Sequence, residues 1–203
     1  MKIVLATSNE HKFKEISTIL KDRFDKILSL SDVGINYQVE ETGSTLEENA
    51  LIKARFVFEK TGFVVLADDT GLMVDSLKGA PGVYSARYCG KNHDYRGNRE
   101  LLLHNLKGNS NRDAHFETVI VLLFGLNDYI AAKGRVDGKI MDEEHGDNGF
   151  GYDSIFYSYE LKKTFGECSE NEKNSVSHRA RALQNLILKL KEKENENNSR
   201  FFR

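Results

Sequence analysis

Two cysteines, one proline and almost no net charge set the first limits on this 203-residue chain. Cys89 and Cys168 lie far apart, in neither a C-x-x-C pair nor a zinc-finger spacing. That argues against a disulfide scaffold or a thiolate metal site and for a reducing compartment. The 29 Lys and Arg nearly balance the 31 Asp and Glu, leaving a formal charge of −2. There is then no global basic field for nucleic acid or an anionic membrane, and no basic stripe with interleaved aromatics. No apolar run approaches the roughly 20 residues that span a bilayer. The run after Lys2, "IVLATSNE", is too short for a signal-peptide core, so the expected location is the cytoplasm. A nucleotide-sized anion needs only a local basic pocket, which this charge balance permits.

What is present reads as one soluble α/β domain over residues 1–193, bent into two lobes around a cleft, with 194–203 as a frayed tail. "KIVLA" reads as a buried strand entering a helix with Phe13, Ile16, Ile19 and Leu20 on one face. A second strand is expected at Asp25–Leu30. A capping box at Ser44/Glu47 or Thr45/Glu48 starts a helix that runs to about Lys60, with Gly62 as its stop. "FVVLA" reads as a strand that delivers Asp68 and Asp69 at its tip, and "LMVDSL" continues in extended form. A Gly-rich loop carries Pro81, the one proline. A helix near 98–106, a strand–"LND"–strand hairpin, the loop "DNGFGYDSIFY" and a last helix over Glu170–Lys193 complete the chain.

The chemistry concentrates in four places. At Thr7, Ser8, Asn9, Glu10, His11 and Lys12 a strand passes through a polar loop into a helix N-terminus, a ready anion site, although Asn9 or Ser8 would equally serve as a plain N-cap. The loop lacks the Walker A glycines. Glu40, Glu41, Asp68 and Asp69 supply hard carboxylate oxygens suited to Mg²⁺ or Mn²⁺. Two adjacent carboxylates after an apolar run need a cation, a basic neighbour or water to offset them. Their spacing does not fit the D-x-D-x-T phosphatase motif. In "GFGYDSIF", glycines flank an aromatic that would stack on a planar ligand or simply anchor the loop. "EKNSVSHRARAL" adds Lys173, His178 and Arg179. On one continuous helix Lys173 and His178 would not share a face.

Five ordered blocks, "LATSNEHKFKEI", "EETGSTLEENALIKAR", "ADDTGLMVDSLKGAPGVYSARY", "GFGYDSIF" and "EKNSVSHRARAL", give a strong resemblance to a known family from Ile3 to Leu190. The chain resembles the non-canonical purine nucleoside triphosphate pyrophosphatases, the inosine/xanthosine triphosphate diphosphatases. The resemblance implies an elongated α/β fold, a mixed twisted sheet flanked by helices, with two lobes around a nucleotide-binding cleft. It further implies a homodimer that cleaves ITP, dITP or XTP to the monophosphate and pyrophosphate with Mg²⁺, Mn²⁺ being the substitute ion. By position, Thr7, Ser8, Asn9, Glu10, His11 and Lys12 would hold the triphosphate. Asp69 would be the catalytic carboxylate and would share the metal with Glu40 or Glu41, and Thr70 would bind substrate. Phe150, Gly151, Tyr152, Asp153, Lys173, His178 and Arg179 would bind the nucleotide, the last two near the base.

Ser154 stands where that family often has proline, Thr70 where serine is usual and Ser8 where glycine is frequent. On this reading Mg²⁺ and its nucleotide offset Asp68 and Asp69, with Asp68 bonded to loop N–H groups. Two other classes are a pyrophosphatase for other modified nucleotides and a non-catalytic nucleotide-binding protein. The second should lack the metal carboxylates, which this chain keeps.

Overall fold

The computed structural model describes residues 1–36 and 39–201, with side chains as far as residue 195. β1 (Lys2–Leu5) leads through α1 (Glu10–Leu20) to β2 (Lys26–Leu28), and β1 pairs parallel with β2. α2 (Leu46–Thr61) then delivers β3 (Val64–Val74) parallel to the other side of β1. The start of α2 uses the Thr45/Glu48 capping box, in which Thr45 Oγ1 accepts from Glu48 N and Glu48 reaches back to Thr45 N. Gly62 ends it at φ +66°, where its N–H donates to Phe58 O.

β4 (Pro81–Gly82) pairs antiparallel with β3, and α3 (Tyr95–Asn105) follows. β5 (Asp113–Gly125) and β6 (Asp128–Ile140) form the expected hairpin, turned at Leu126 and Asn127. β7 (Phe156–Ser158) and β8 (Lys163–Thr164) extend the sheet antiparallel, giving the order β2-β1-β3-β5-β6-β7-β8. The chain ends with α4 (Glu170–Val176) and α5 (His178–Phe201). The result is a mixed α/β fold with a mixed sheet flanked by helices. Among the described residues no helix is long and apolar enough to cross a membrane.

The chain divides into two compact units. The first holds Met1–Asp69, Val119–Gly134 and the chain from Arg179 on; the second holds Thr70–Thr118 and Arg135–His178. Within the first, strand alternation sorts side chains onto the two sheet faces. Ile3, Leu5, Leu66, Ile120 and Leu122 pack with Ile16 and Leu20 of α1 and Leu183 and Leu186 of α5. Their strand neighbours Val4, Val65, Ala67, Val121 and Leu123 pack with Ala50, Ala54 and Val57 of α2. The second unit has its own core around Leu102, Phe116, Val136, Phe156 and Phe165.

Three expectations change. Asp68 and Asp69 do not sit at a strand tip; β3 carries them in mid-strand and runs unbroken into the expected extended stretch as far as Val74. α3 starts at Tyr95 because the Asp94 carboxylate caps it, accepting from Gly97 N at 2.9 Å. The expected single helix over 170–193 is two, split where Ser177 turns extended (φ −64°, ψ 153°), and α5 stays helical to Phe201. Phe202 and Arg203 of the expected tail lie outside the described residues.

α4 begins with its own capping box, Ser169/Glu172, and Glu172 also accepts from Lys163 Nζ at 2.8 Å. The Lys163 hydrogen bond, with those from Ser169, lowers the Glu172 carboxyl from its ordinary 4.5 to about 2. Its stabilising contribution is therefore complete above pH 4.5 and is lost as pH falls toward about 2. Glu172→Gln should lower the melting temperature at pH 7, and the gap from wild type should close across that acid window in a pH series of thermal scans.

Candidate active site

Consecutive strand residues point to opposite faces, so β3 cannot present Asp68 and Asp69 to the same partners. Asp68 follows Leu66 onto the face covered by α1 and α5. It is 1% exposed, and its Oδ2 meets Lys12 Nζ at 3.1 Å and Arg179 Nε and Nη2 at 3.4 Å. Arg179, itself 1% exposed, also pairs through Nη1 with Glu15 Oε2. Burial opposes ionisation of Asp68, but Lys12, Arg179 and Lys53 outweigh it and hold the carboxyl well below its ordinary value.

Asp69 follows Ala67 onto the α2 face. Asn49 Nδ2 donates to its Oδ2 at 3.1 Å, and Lys53 Nζ lies 3.2 Å from its Oδ1. The same ammonium donates to Glu41 Oε1 at 2.7 Å, so one cation bridges two carboxylates. Asn49 is fixed in turn, its Oδ1 accepting from Gly43 N at 2.8 Å. Burial is the largest influence on Asp69 and raises its carboxyl above the ordinary 3.8, against the pull of Lys53 and Lys12. Lys53 shifts the opposite way to an ordinary buried lysine. Burial would lower it, but Asp69, Glu41 and Asp68 raise it, so it stays charged.

These contacts correct the account of how the paired aspartates coexist. Each carboxylate is offset by basic side chains of the chain itself, and Asp68 is held by Lys12 and Arg179 rather than by loop N–H groups. Of the two candidate glutamates, Glu41 lies at the Lys53–Asp69 pair, whereas Glu40 is exposed. Among the described residues no three His, Cys, Asp or Glu side chains cluster as a metal site. Glu41 and Asp69 are two hard-oxygen donors already sharing one cation, and Mg²⁺ characteristically takes one or two carboxylates, with phosphate and water completing its shell. The donor set therefore fits that ion.

At the α1 end, Asn9 is the N-cap, its Oδ1 accepting from Lys12 N at 3.2 Å, and Thr7 Oγ1 accepts from Asn9 N at 3.2 Å. Ser8, Glu10 and His11 are exposed around the first turn. Capping and anion binding are compatible there, because one side-chain cap leaves the rest of the N-terminal N–H groups and the helix dipole in place.

The second unit gathers Phe150, Asp153, Lys173 and His178. Lys173 Nζ, buried, donates to Asp153 Oδ2 at 2.7 Å and sits 4.9 Å from the Phe150 ring centroid. Asp153 Oδ2 also accepts from Phe150 N at 2.8 Å. Gly149 must be glycine here, since its φ is +76° and a Cβ would fall 2.1 Å from Asp153 Oδ2. The His178 ring stacks on Phe116, with centroids 4.6 Å apart. The Tyr152 ring belongs to the core, its hydroxyl donating to Ser85 O at 2.9 Å. Gly151 O accepts from Arg99 Nη1 at 2.8 Å, and Ser154 Oγ donates to Glu144 Oε2 at 2.8 Å, so side chains tie down the turn in place of a proline ring. The Thr70 hydroxyl hydrogen-bonds that of Thr118, their oxygens 2.7 Å apart. Arg179 is assigned to the first unit with Asp68, and its neighbour His178 to the second.

Sequence reasoning missed Asn49 and Lys53. Asn49 is buried on α2 with Leu46, Ala50, Ala54 and Val57, and Lys53, one turn further on, is partly buried beside them. Polar residues at helical spacing inside an apolar stripe were the available signal.

A family model described as the Ham1 family matches residues 3–189. A dITP/XTP pyrophosphatase of Thermoanaerobacter pseudethanolicus is 48% identical over 194 residues, covering 93% of this chain and 98% of that one. One from Clostridium perfringens is 46% identical over 198 residues, covering 94% and 97%. Among solved structures, the Ham1 protein of Staphylococcus aureus aligns with a TM-score of 0.84 at 39% identity, covering 95% of this chain and all of that one. A HAM1 protein from Coxiella burnetii gives 0.86 at 40%, covering 95% and 99%.

Asn49→Leu keeps the volume but strips Asp69 Oδ2 and Gly43 N of a buried partner. Chemical denaturation should show a loss of about 1–3 kcal/mol; a change within 0.5 kcal/mol, the scatter of ordinary surface substitutions, would show that the amide holds nothing in place.

Proposed function

The chain belongs to the Ham1 family, and from that membership we propose that it hydrolyses non-canonical purine nucleoside triphosphates, dITP, XTP and ITP, to the monophosphate and pyrophosphate. The observation that carries the reading is Asp69: a buried carboxylate oriented by Asn49 and bridged through Lys53 to Glu41. Residues 1–193 act as one catalytic domain, in a cytoplasmic homodimer.

Water attacks the α-phosphorus, and the bond from that phosphorus to the α–β bridging oxygen breaks, releasing pyrophosphate. Asp69, with Asn49 fixing one oxygen, orients the water and receives its proton. Glu41 and Asp69 would hold Mg²⁺, which supplies charge neutralisation on the phosphates and a lower pKa for bound water. Lys53 offsets the charge of both carboxylates and holds them in register. Lys12 and the first-turn N–H groups of α1, with Thr7, Ser8, Asn9, Glu10 and His11, take the phosphate chain. Thr70 contributes its hydroxyl to substrate binding.

Phe150 offers a face for the base, while Gly151, Tyr152, Asp153, Lys173 and His178 shape and orient its surroundings. Donors aimed at the 6-keto oxygen favour hypoxanthine and xanthine over adenine, because a buried donor left facing an amino group is costly. Arg179 acts within the first unit, through its pairing with Asp68 and Glu15.

The test is pyrophosphate release from dITP, XTP, ITP, GTP and ATP, with and without Mg²⁺, by wild type and Asp69→Asn. We expect Mg²⁺-dependent release from dITP or XTP at least about tenfold faster than from GTP or ATP, equivalent to about 1.4 kcal/mol in the transition state. Asp69→Asn should abolish it. Folded wild-type protein releasing pyrophosphate from none of the five would refute the reading.

A further inference from the structure

We infer that Asp68 is a positioning residue for phosphate binding: it holds the Lys12 ammonium at the start of α1 by pinning it, together with Arg179, to one carboxylate oxygen. The inference rests on the reading of the α1 N-terminus as the phosphate-binding element. Asp68 lies on the sheet face opposite Asp69, with its side chain 1% exposed, so it has no direct route to the reacting atoms. Its two cations come from separate helices, Lys12 from the first turn of α1 and Arg179 from the first turn of α5.

Both cations meet the same atom, Oδ2, at 3.1 and 3.4 Å. Like charges brought that close to one atom repel unless the carboxylate sits between them. Glu15 takes the other side of Arg179, completing a set of two acids and two bases. Arg179 is sealed in at 2% side-chain exposure, while Lys12 keeps 16%. Lys12 is therefore the cation of this set that can meet an incoming anion.

A purely electrostatic role and a positioning role predict opposite signs. Removing the carboxylate's charge while leaving Lys12 in place would make the region more positive and bind anions more tightly. Losing the position of Lys12 would bind them more weakly. A merely structural Asp68 would change stability and leave the affinity of the folded protein alone.

Inorganic tripolyphosphate, titrated calorimetrically into wild type, Asp68→Asn, Lys12→Met and the double variant, separates these cases without relying on turnover. Asp68→Asn should weaken binding at least about tenfold, and in the Lys12→Met background it should weaken it no further. KM for dITP should rise in parallel, with kcat within about threefold of wild type, and Asp68→Glu should recover part of the loss. Unchanged or tighter tripolyphosphate binding by Asp68→Asn, or losses that multiply in the double variant, would overturn the inference. If Asp68→Asn does not fold, Asp68→Glu answers the same question, since its longer arm displaces Lys12 and its effect must also vanish in the Lys12→Met background. Wild type that binds tripolyphosphate but releases no pyrophosphate refutes the pyrophosphatase reading and leaves this comparison intact; wild type that does not bind it refutes the inference itself.

Discussion

The alternation of β3 is the constraint on which the rest depends. A strand shows successive side chains to opposite faces, so a two-residue acidic step in a two-faced sheet sends one carboxylate to each side. Asp68 goes to the α1/α5 side and Asp69 to the α2 side, each following the apolar residue two positions before it. From that point the chain must supply two separate sets of cations, and it does: Lys12 with Arg179 on one side, Lys53 on the other. Two buried acids of one sequence step thereby acquire different tasks.

The magnitudes explain why both sets are complete. Leaving one partner of a buried ion pair uncompensated costs about 3–5 kcal/mol, a large part of a domain's total stability. Neither aspartate can wait for a ligand to bring the offsetting charge. Asp68 has two direct cationic partners and is driven firmly to the ionised form. Asp69 has one, shares it with Glu41, and is left under the opposite influence of its burial. A carboxylate less fully compensated than its neighbour is the one suited to take a proton or a second cation, which is how the two faces come to differ in chemistry.

Local signals made much of this fold legible. The apolar run of β1, the capping box and terminal glycine of α2 and the two-residue turn between β5 and β6 are decided by neighbours in sequence. Candidate site residues could be named from the sequence, but their pairings could not. Lys53 meets Asp69 across 16 positions and Arg179 meets Asp68 across 111, and such partners are chosen by packing of helices on the sheet. The polar positions along the α2 stripe, had they been followed, would have pointed to Asn49 and Lys53, and strand alternation, carried past Ala67, would have separated the two aspartates. The break at Ser177 escaped because the apolar spacing of α5 masked it, although the Ser169/Glu172 box marks α4 as a helix with its own start.

Site-resolved titration of the two carboxyl carbons by carbon NMR, in metal-free protein, tests the central claim most directly. The account predicts that these adjacent aspartates depart from the ordinary value of 3.8 in opposite directions, Asp68 remaining ionised below it and Asp69 taking up its proton above it. Two carboxyls that shift together, or a pair in which Asp68 protonates first, would contradict the division of β3 into two differently compensated faces.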